Sequence, residues 1–362
     1  VSAMRIGEIS ASVYRFPTPE PEADGTLQWD ATTAVVVQAR AGDVTGLGWT
    51  YSTAAAVDVI ADHLAGAVTG LDTTDVPRCF EAMRRACRNL GSKGLVMQAI
   101  SAVDIALWDL AARTLDVPVT ALLGRARDRV PVYGSGGFTT MSDGELRDQV
   151  EAWAAAGCVA MKIKIGESWG DRPDRDLARV RTLRECAGPD VALMVDANGG
   201  YRRAQARRVG AELDELGVVW FEEPVSSDDL QGLASVRDAV RCDVAAGEYA
   251  ADVYDASGLC PVVDCLQLDA TRCGGYTGFL RGAAIAAAHN LDVSGHCAPA
   301  LHAPVAAAVV NLRHVEWFAD HARLEPLLVD GVPAVEGGAM IPNTSQGHGL
   351  VLRPDARQWR TR

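Results

Sequence analysis

Three acids in the second half of the chain, Asp196, Glu222 and Glu248, stand at equal intervals of 26 residues, and each closes a short apolar run. Equal spacing in a repeating chain marks equivalent positions, and acids at the C-terminal ends of successive parallel strands converge on one site. Three carboxylates that close repel one another unless a cation lies between them. All-oxygen ligation suits Mg²⁺, or Mn²⁺ in its place, and argues against Zn²⁺, which prefers His and Cys. An acid after a strand also commonly caps the next helix, but capping does not account for three at one interval with Asn198, Glu223 and Pro224 beside them. On the run before Asp196 lies Met161-Lys162-Ile163-Lys164. Residues two apart on a strand share a face, so both ammonium groups are expected to point inward, and beside a cation their pKa values are expected to fall, as a catalytic amine base requires. Asp269 and His296 end the next two runs of interest, where the carboxylate can fix the imidazole tautomer and make it a better base. Glu316, on the last run, completes the ring as a hydrogen-bonding group or acid, while His302, His314 and His321 read as satisfied core histidines.

The elements that must position these groups are legible as a pattern. From Val130 onward, short strands alternate with helical stretches: Val130–Tyr133, Ala160–Ile165, Ala192–Asp196, Val218–Glu222, Asp243–Glu248, Cys265–Asp269, Asp292–His296 and His314–Trp317. Eight strands alternating with helices predict a closed parallel barrel rather than an open sheet. Before them, Arg5–Val13 and Thr32–Gln38 read as strands joined by a polar, mobile loop from Pro17 to Gly25. Residues 54–110 read as helical, most clearly where Val96, Ala99, Val103, Ala106 and Leu110 recur at steps of three and four. The expected division is an α+β cap over 1–125, the barrel over 126–323, and a C-terminal segment over 324–362 that rejoins the cap.

At 362 residues the chain has room for a barrel and a smaller domain. Its 22% charged content and near-zero mean hydropathy are those of an ordinary globular protein, with no apolar run expected to span a bilayer. A net charge of −13 argues against nucleic acid and anionic membranes as partners, since both are held chiefly by Lys and Arg. Nine scattered cysteines without a Cys-x-x-Cys pair read as reduced, mostly buried thiols. Val1-Ser2-Ala3-Met4-Arg5 has no basic-then-apolar leader pattern, which gives a cytoplasmic expectation, and the residues before Met4 read as an addition. Gly134-Ser135-Gly136-Gly137 lacks the rest of a dinucleotide fingerprint.

Lys162-Ile163-Lys164, Asp196-Ala197-Asn198, Phe221-Glu222-Glu223-Pro224, Gly247-Glu248, Asp269 ahead of Gly274-Gly275, and Ser294-Gly295-His296 together resemble the mandelate racemase subgroup of the enolase superfamily. The stretch from Ser101 to Leu110 resembles the helix that ends that family's capping domain, and Leu122-Leu123-Gly124-Arg125 departs from it where a second Gly is expected. The resemblance implies a modified TIM barrel, (β/α)₇β, capped by an α+β domain made from both chain ends, with one Mg²⁺ held by Asp196, Glu222 and Glu248. It further implies Lys164 as one acid/base, the His296/Asp269 pair as the other, Lys162 supporting the substrate carboxylate, and Glu316 bonding the intermediate. By analogy the assembly is a homo-oligomer.

Such a site answers a definite problem: a proton beside a carboxylate is very weakly acidic, because its removal places a second negative charge on the same group. A divalent cation and cationic donors stabilise the resulting enediolate. If the second base then protonates a β-hydroxyl, water leaves and a 2-keto-3-deoxy acid forms, the expected acid-sugar dehydratase reaction. If it returns a proton to carbon, the enzyme is a racemase or epimerase. A non-catalytic barrel protein would require a missing ligand or base, and none is missing. Muconate-type cycloisomerisation is expected to need a lysine where Asp269 stands. Asn198 and Trp29 are the candidate substrate-binding residues, Trp29 as a lid, with Glu20, Glu22, Asp24, Gln28 and Asp30 available to bond hydroxyls.

Overall fold

Three antiparallel strands open the chain in the computed structural model, which describes residues 4–362; the expected addition ahead of Met4 lies outside them. They are β1 (Glu8–Ala23), β2 (Gln28–Ala41) and β3 (Val44–Tyr51), in that order across the sheet. Period-two patterning gives the sheet two apolar faces. Val35, Val37 and Ala39 pack under the helix Leu95–Thr114, while Tyr14, Phe16, Val36, Leu47 and Trp49 join the core shared with the rest of the molecule. The helix sits directly on β3 because Gly46 and Gly48 face it: a Cβ on either would collide with the carbonyl oxygen of Ala106 or Ala102.

The expected loop over Pro17–Gly25 is instead mostly strand. β1 and β2 pair past a bulge between Pro17 and Glu22, resuming at Glu22↔Trp29 and Ala23↔Gln28. Two local interactions hold the tip: Trp29 Nε1 donates to Glu22 Oε2 at 3.0 Å, and the Asp24 carboxylate accepts from the backbone N–H groups of Thr26 and Leu27, as Asp does in tight turns. Residues 54–110 are not one helical run but several helices, of which Val76–Ala86 and Leu95–Thr114 are the longest. Leu95–Thr114 is also long and apolar enough to cross a membrane, contrary to expectation, but its apolar surface is buried as the core helix of the cap.

Eight parallel strands follow: β4 (Val130–Gly136), β5 (Ala160–Lys164), β6 (Ala192–Asp196), β7 (Val218–Glu222), β8 (Asp243–Ala246), β9 (Cys265–Leu268), β10 (Asp292–Gly295) and β11 (Leu312–Phe318). Neighbours pair in sequence order, and β11 pairs with β4, which closes the barrel. A helix follows each of the first seven strands before the next begins. Gly134 and Gly136 serve packing, since a Cβ there would meet Trp153 and Gln149 of the helix Asp143–Ala155. Tyr133, Met194, Trp220, Ala245 and Cys265 form a small apolar cluster contributed by β4 and β6–β9.

Cap and barrel are locked by a buried polar seam. Asp104 accepts from Thr277 N at 3.0 Å and Thr277 Oγ1 at 2.6 Å, Ser101 Oγ accepts from Gly274 N at 2.8 Å, and Trp108 Nε1 donates to Thr277 Oγ1 at 2.9 Å. Gly275, at φ 69°, leaves no room for a Cβ beside the Asp104 carboxylate. The C-terminal stretch divides its contacts: Ala339–Met340 pairs antiparallel with β4, while Thr361 N donates to Val13 O and Arg360 bridges to Tyr14.

Candidate active site

The strand ends deliver the three acids to one place. Asp196, Glu222 and Glu248 are buried, and one carboxylate oxygen from each lies within 4.8 Å of the others. Glu248 Oε2 is buried without a hydrogen-bond partner, as are Asn198 Oδ1 and Glu223 Oε1. Orphaned buried oxygens of this kind are costly unless something bonds them, and an oxygen-only donor set fits Mg²⁺. Charge crowding is severe: burial, reinforced by repulsion from Asp196 and other acids, pushes the Glu222 carboxyl up to about 8, and burial with repulsion from Glu248 pushes Glu223 well above the usual range. Asn198, at φ 45°, and Glu223, at φ 36°, hold left-handed backbone two residues and one residue past the ends of their strands. Such strain in non-glycine residues collects at functional sites.

Both lysines point into the barrel as expected. Lys164 Nζ lies 2.5 Å from Asp196 Oδ2, whereas Lys162, one strand repeat farther from the mouth, is wholly buried and bridges Glu222 Oε2 at 2.6 Å and Glu316 Oε1 at 2.9 Å. The expected fall of their pKa values is not found with these carboxylates as neighbours. Burial pulls each ammonium down, but Glu222 and Glu316 around Lys162, and Asp196 beside Lys164, outweigh it and hold both well above the usual value. The carboxylates stabilise the charged amines through space more than their desolvation destabilises them.

His296 Nδ1 lies 2.8 Å from Asp269 Oδ2, and Asp269 Oδ1 accepts from Thr271 N and Oγ1, both at 2.7 Å. Burial opposes the charged imidazole, yet Glu248 and Glu316 prevail and raise its pKa. Glu316 is fully engaged behind His296, accepting from Ser135 Oγ at 2.6 Å and from Cys297 N at 2.8 Å. Lys164, Asn198, Glu248, Asp269 and His296 line one cavity of about 660 Å³, which Trp29 and other cap residues complete from the opposite side. Trp29 packs edge-on against Phe138 at 5.6 Å.

Three further residues escaped the sequence reading. Arg272 bridges Glu248 Oε1 at 3.1 Å and Asp269 Oδ2 at 3.5 Å, and its place three residues after Asp269 was the available signal. Cys297 puts its Sγ 3.3 Å from both His296 Nε2 and Glu316 Oε2. His321, expected in the core, lines the cavity; its Nδ1 accepts from Ala298 N at 3.0 Å, so Nε2 carries the proton, and its ring stacks on Tyr51 at 3.6 Å. Burial, against the pull of Asp320, lowers its pKa to about 4, which keeps it neutral.

Residues 11–124 match the mandelate racemase / muconate lactonizing enzyme N-terminal domain and residues 145–356 match the enolase C-terminal domain-like family, so the chain belongs to the mandelate racemase subgroup of the enolase superfamily. Among characterised relatives, L-talarate/galactarate dehydratase of Salmonella typhimurium is 31% identical over 98% of this chain and 91% of its own. Its structure liganded with Mg and L-lyxarohydroxamate superposes with a TM-score of 0.91, at 28% identity, over 100% of this chain and 94% of that one. A 3,6-anhydro-alpha-L-galactonate cycloisomerase from Streptomyces coelicolor is 32% identical over 96% of this chain and 97% of its own. A mandelate racemase/muconate lactonizing enzyme-like protein from Rubrobacter xylanophilus is 44% identical, with a TM-score of 0.95 over 99% and 100% of the two chains.

Proposed function

We propose that this protein is a Mg²⁺-dependent dehydratase of a sugar acid. The observation that carries the reading is that Lys164 and the His296/Asp269 pair line the same cavity as Glu248, whose carboxylate belongs to the three-acid cluster. Asp196, Glu222 and Glu248 would hold the cation, Mn²⁺ serving in place of Mg²⁺. When bound, it supplies positive charge for the substrate carboxylate and offsets the repulsion among these acids. Asp196 holds the Lys164 ammonium charged, so Lys164 would serve as the base for the proton beside the carboxylate when a cation offsets Asp196, and Asn198 Oδ1, which lacks a partner, accepts a substrate hydroxyl. His296, held in one tautomer by Asp269 and favoured in its charged form by Glu248 and Glu316, donates to the departing β-hydroxyl. Lys162 and Glu316 act from behind: Lys162 steadies Glu222, and Glu316 orients Cys297 and His296. Trp29 closes the cavity from the cap and excludes water. By analogy with such barrel enzymes the protein is a homo-oligomer, which light scattering would test.

The named cycloisomerase relative gives a second reading, in which the same proton removal expels a ring oxygen instead of water. Proton NMR of the Mg²⁺-loaded protein in D₂O, with aldonic, uronic and aldaric acids, separates the outcomes. A Mg²⁺-dependent 2-keto-3-deoxy product is expected. An epimer carrying α-deuterium would make it a racemase, turnover of only cyclic acids would make it a cycloisomerase, and no exchange with any acid would overturn the reading.

A further inference from the structure

Cys297 stands between two groups that the proposed reaction uses, and the three together have the shape of a coordination site. Its Sγ lies 3.3 Å from His296 Nε2 and 3.3 Å from Glu316 Oε2, and the latter two atoms are 3.7 Å apart. Tetrahedral zinc with ordinary Zn–N, Zn–O and Zn–S bonds places its ligand atoms about 3.3 to 3.6 Å from one another. The triangle therefore needs almost no rearrangement to close on such an ion. We propose that His296, Cys297 and Glu316 form a second metal site, selective for a thiophilic divalent cation such as Zn²⁺, whose occupation silences the enzyme.

Four observations support it. All three residues are buried, so their ordering is already accomplished in the folded protein. His296 Nδ1 is fixed 2.8 Å from Asp269 Oδ2, the carboxylate–histidine arrangement that orients an imidazole toward a metal and raises its basicity. His296 and Cys297 line the cavity, which gives an ion a route in and leaves a position for water. The Cys297 backbone N–H donates to Glu316 Oε2 at 2.8 Å, which ties this residue to the third ligand, and its left-handed φ of 52° is a strained backbone of the kind that collects at functional sites. The donor sets then sort the metals: an oxygen-only cluster for Mg²⁺, and a nitrogen, sulfur and oxygen set that Mg²⁺ disfavours and Zn²⁺ prefers. Binding releases to solvent the thiol proton and, from the charged imidazole, the Nε2 proton, and the sulfur and Nε2 lone pairs then bond the metal. The imidazole can then neither accept nor donate a proton. This inference shares His296 with the dehydratase reading but does not depend on turnover.

Cobalt(II) serves as the spectroscopic probe. Added to the Mg²⁺-loaded protein, one equivalent is expected to produce a near-ultraviolet thiolate-to-cobalt charge-transfer band that Zn²⁺ then bleaches. The band should vanish in Cys297→Ser and Cys297→Ala and weaken in His296→Asn. With an active preparation, half-inhibition of Cys297→Ser, relative to its own rate with Mg²⁺ alone, should need about tenfold more Zn²⁺ or higher. No thiolate band in the wild-type protein would overturn the site, as would a band that persists in both Cys297 variants. Equal zinc sensitivity of wild type and Cys297→Ser would overturn the inhibition. If no acid is turned over, the dehydratase reading fails while the cobalt spectrum still decides this one.

Discussion

His296 shows how much of a residue's chemistry is set by its neighbours. An isolated imidazole titrates near neutrality, but here Asp269 fixes which nitrogen carries the proton, while Glu248 and Glu316 favour the charged ring against its burial. Asp269→Asn keeps the shape and removes both the anion and the tautomer preference. Turnover is expected to fall by about 10²- to 10⁴-fold, with substrate binding changed far less. The steady-state kcat and KM of the purified variant are the check, and a kcat within a factor of about three of wild type would show that Asp269 does not act through His296. At this scale the sequence located residues that the structure brings together, because Asp196, Glu222, Glu248, Lys164 and His296 each sit on a strand or within two residues of its end. It was a poor guide to their partners. Lys162 reads as a substrate contact, but its ammonium is sunk between Glu222 and Glu316.

At the scale of elements, two joints hold the cap, one inside it and one between it and the barrel. The first is the close seat of Leu95–Thr114 on β3, made possible by Gly46 and Gly48. Gly48→Ala forces a methyl group into the helix backbone at Ala102 and is expected to cost about 1–3 kcal/mol of stability. Urea denaturation measures this, and an unchanged midpoint would show that the helix can move away freely. The second joint is the seam around Asp104. Burial, only partly countered by the hydrogen bonds from Thr277, raises its carboxyl pKa from the ordinary 3.8 to about 7. The folded protein therefore holds this proton more tightly than the unfolded chain does, and this group's contribution to stability declines as pH rises from about 4 to about 7. Asp104→Asn carries no such titration. Its thermal midpoint, compared with wild type across that range, should show a difference that shifts in the variant's favour as pH increases, and a constant difference would contradict the assignment. The hairpin tip belongs to this scale too. Composition from Pro17 to Gly25 reads as a loop, and a bulge with the Glu22–Trp29 bond makes it strand.

For the whole molecule, the folded chain gathers buried acids that the unfolded chain keeps apart, so a cation that binds only the folded form must stabilise it. Mg²⁺ at a hundredfold excess over its Kd is expected to add about 2.7 kcal/mol, read as a rise in the thermal midpoint that a chelator reverses. Glu248→Gln, which removes one of the three acids, should lose most of that rise. A variant that responds to Mg²⁺ like wild type would place the ion elsewhere. The barrel mouth is itself crowded with carboxylates that Lys162, Lys164 and Arg272 only partly offset, so a bound cation is what would make it receptive to a substrate carboxylate.

The sequence alone determined the strand series, the closed barrel it forms, and the residues at its mouth, because these follow from local features: a period of two along a strand, strands alternating with helices, and three acids at equal intervals of 26 residues. Only the tertiary structure decided that Lys162 is buried under the site, that Arg272 bridges Glu248 and Asp269, that His321 faces the cavity, and that Cys297 touches both His296 and Glu316. Apart from Arg272 with Asp269 and Cys297 with His296, which are neighbours in the chain, those contacts join groups on different strands or on the two domains. They depend on how the barrel closes and where the cap is seated, and no interval along the chain encodes either distance.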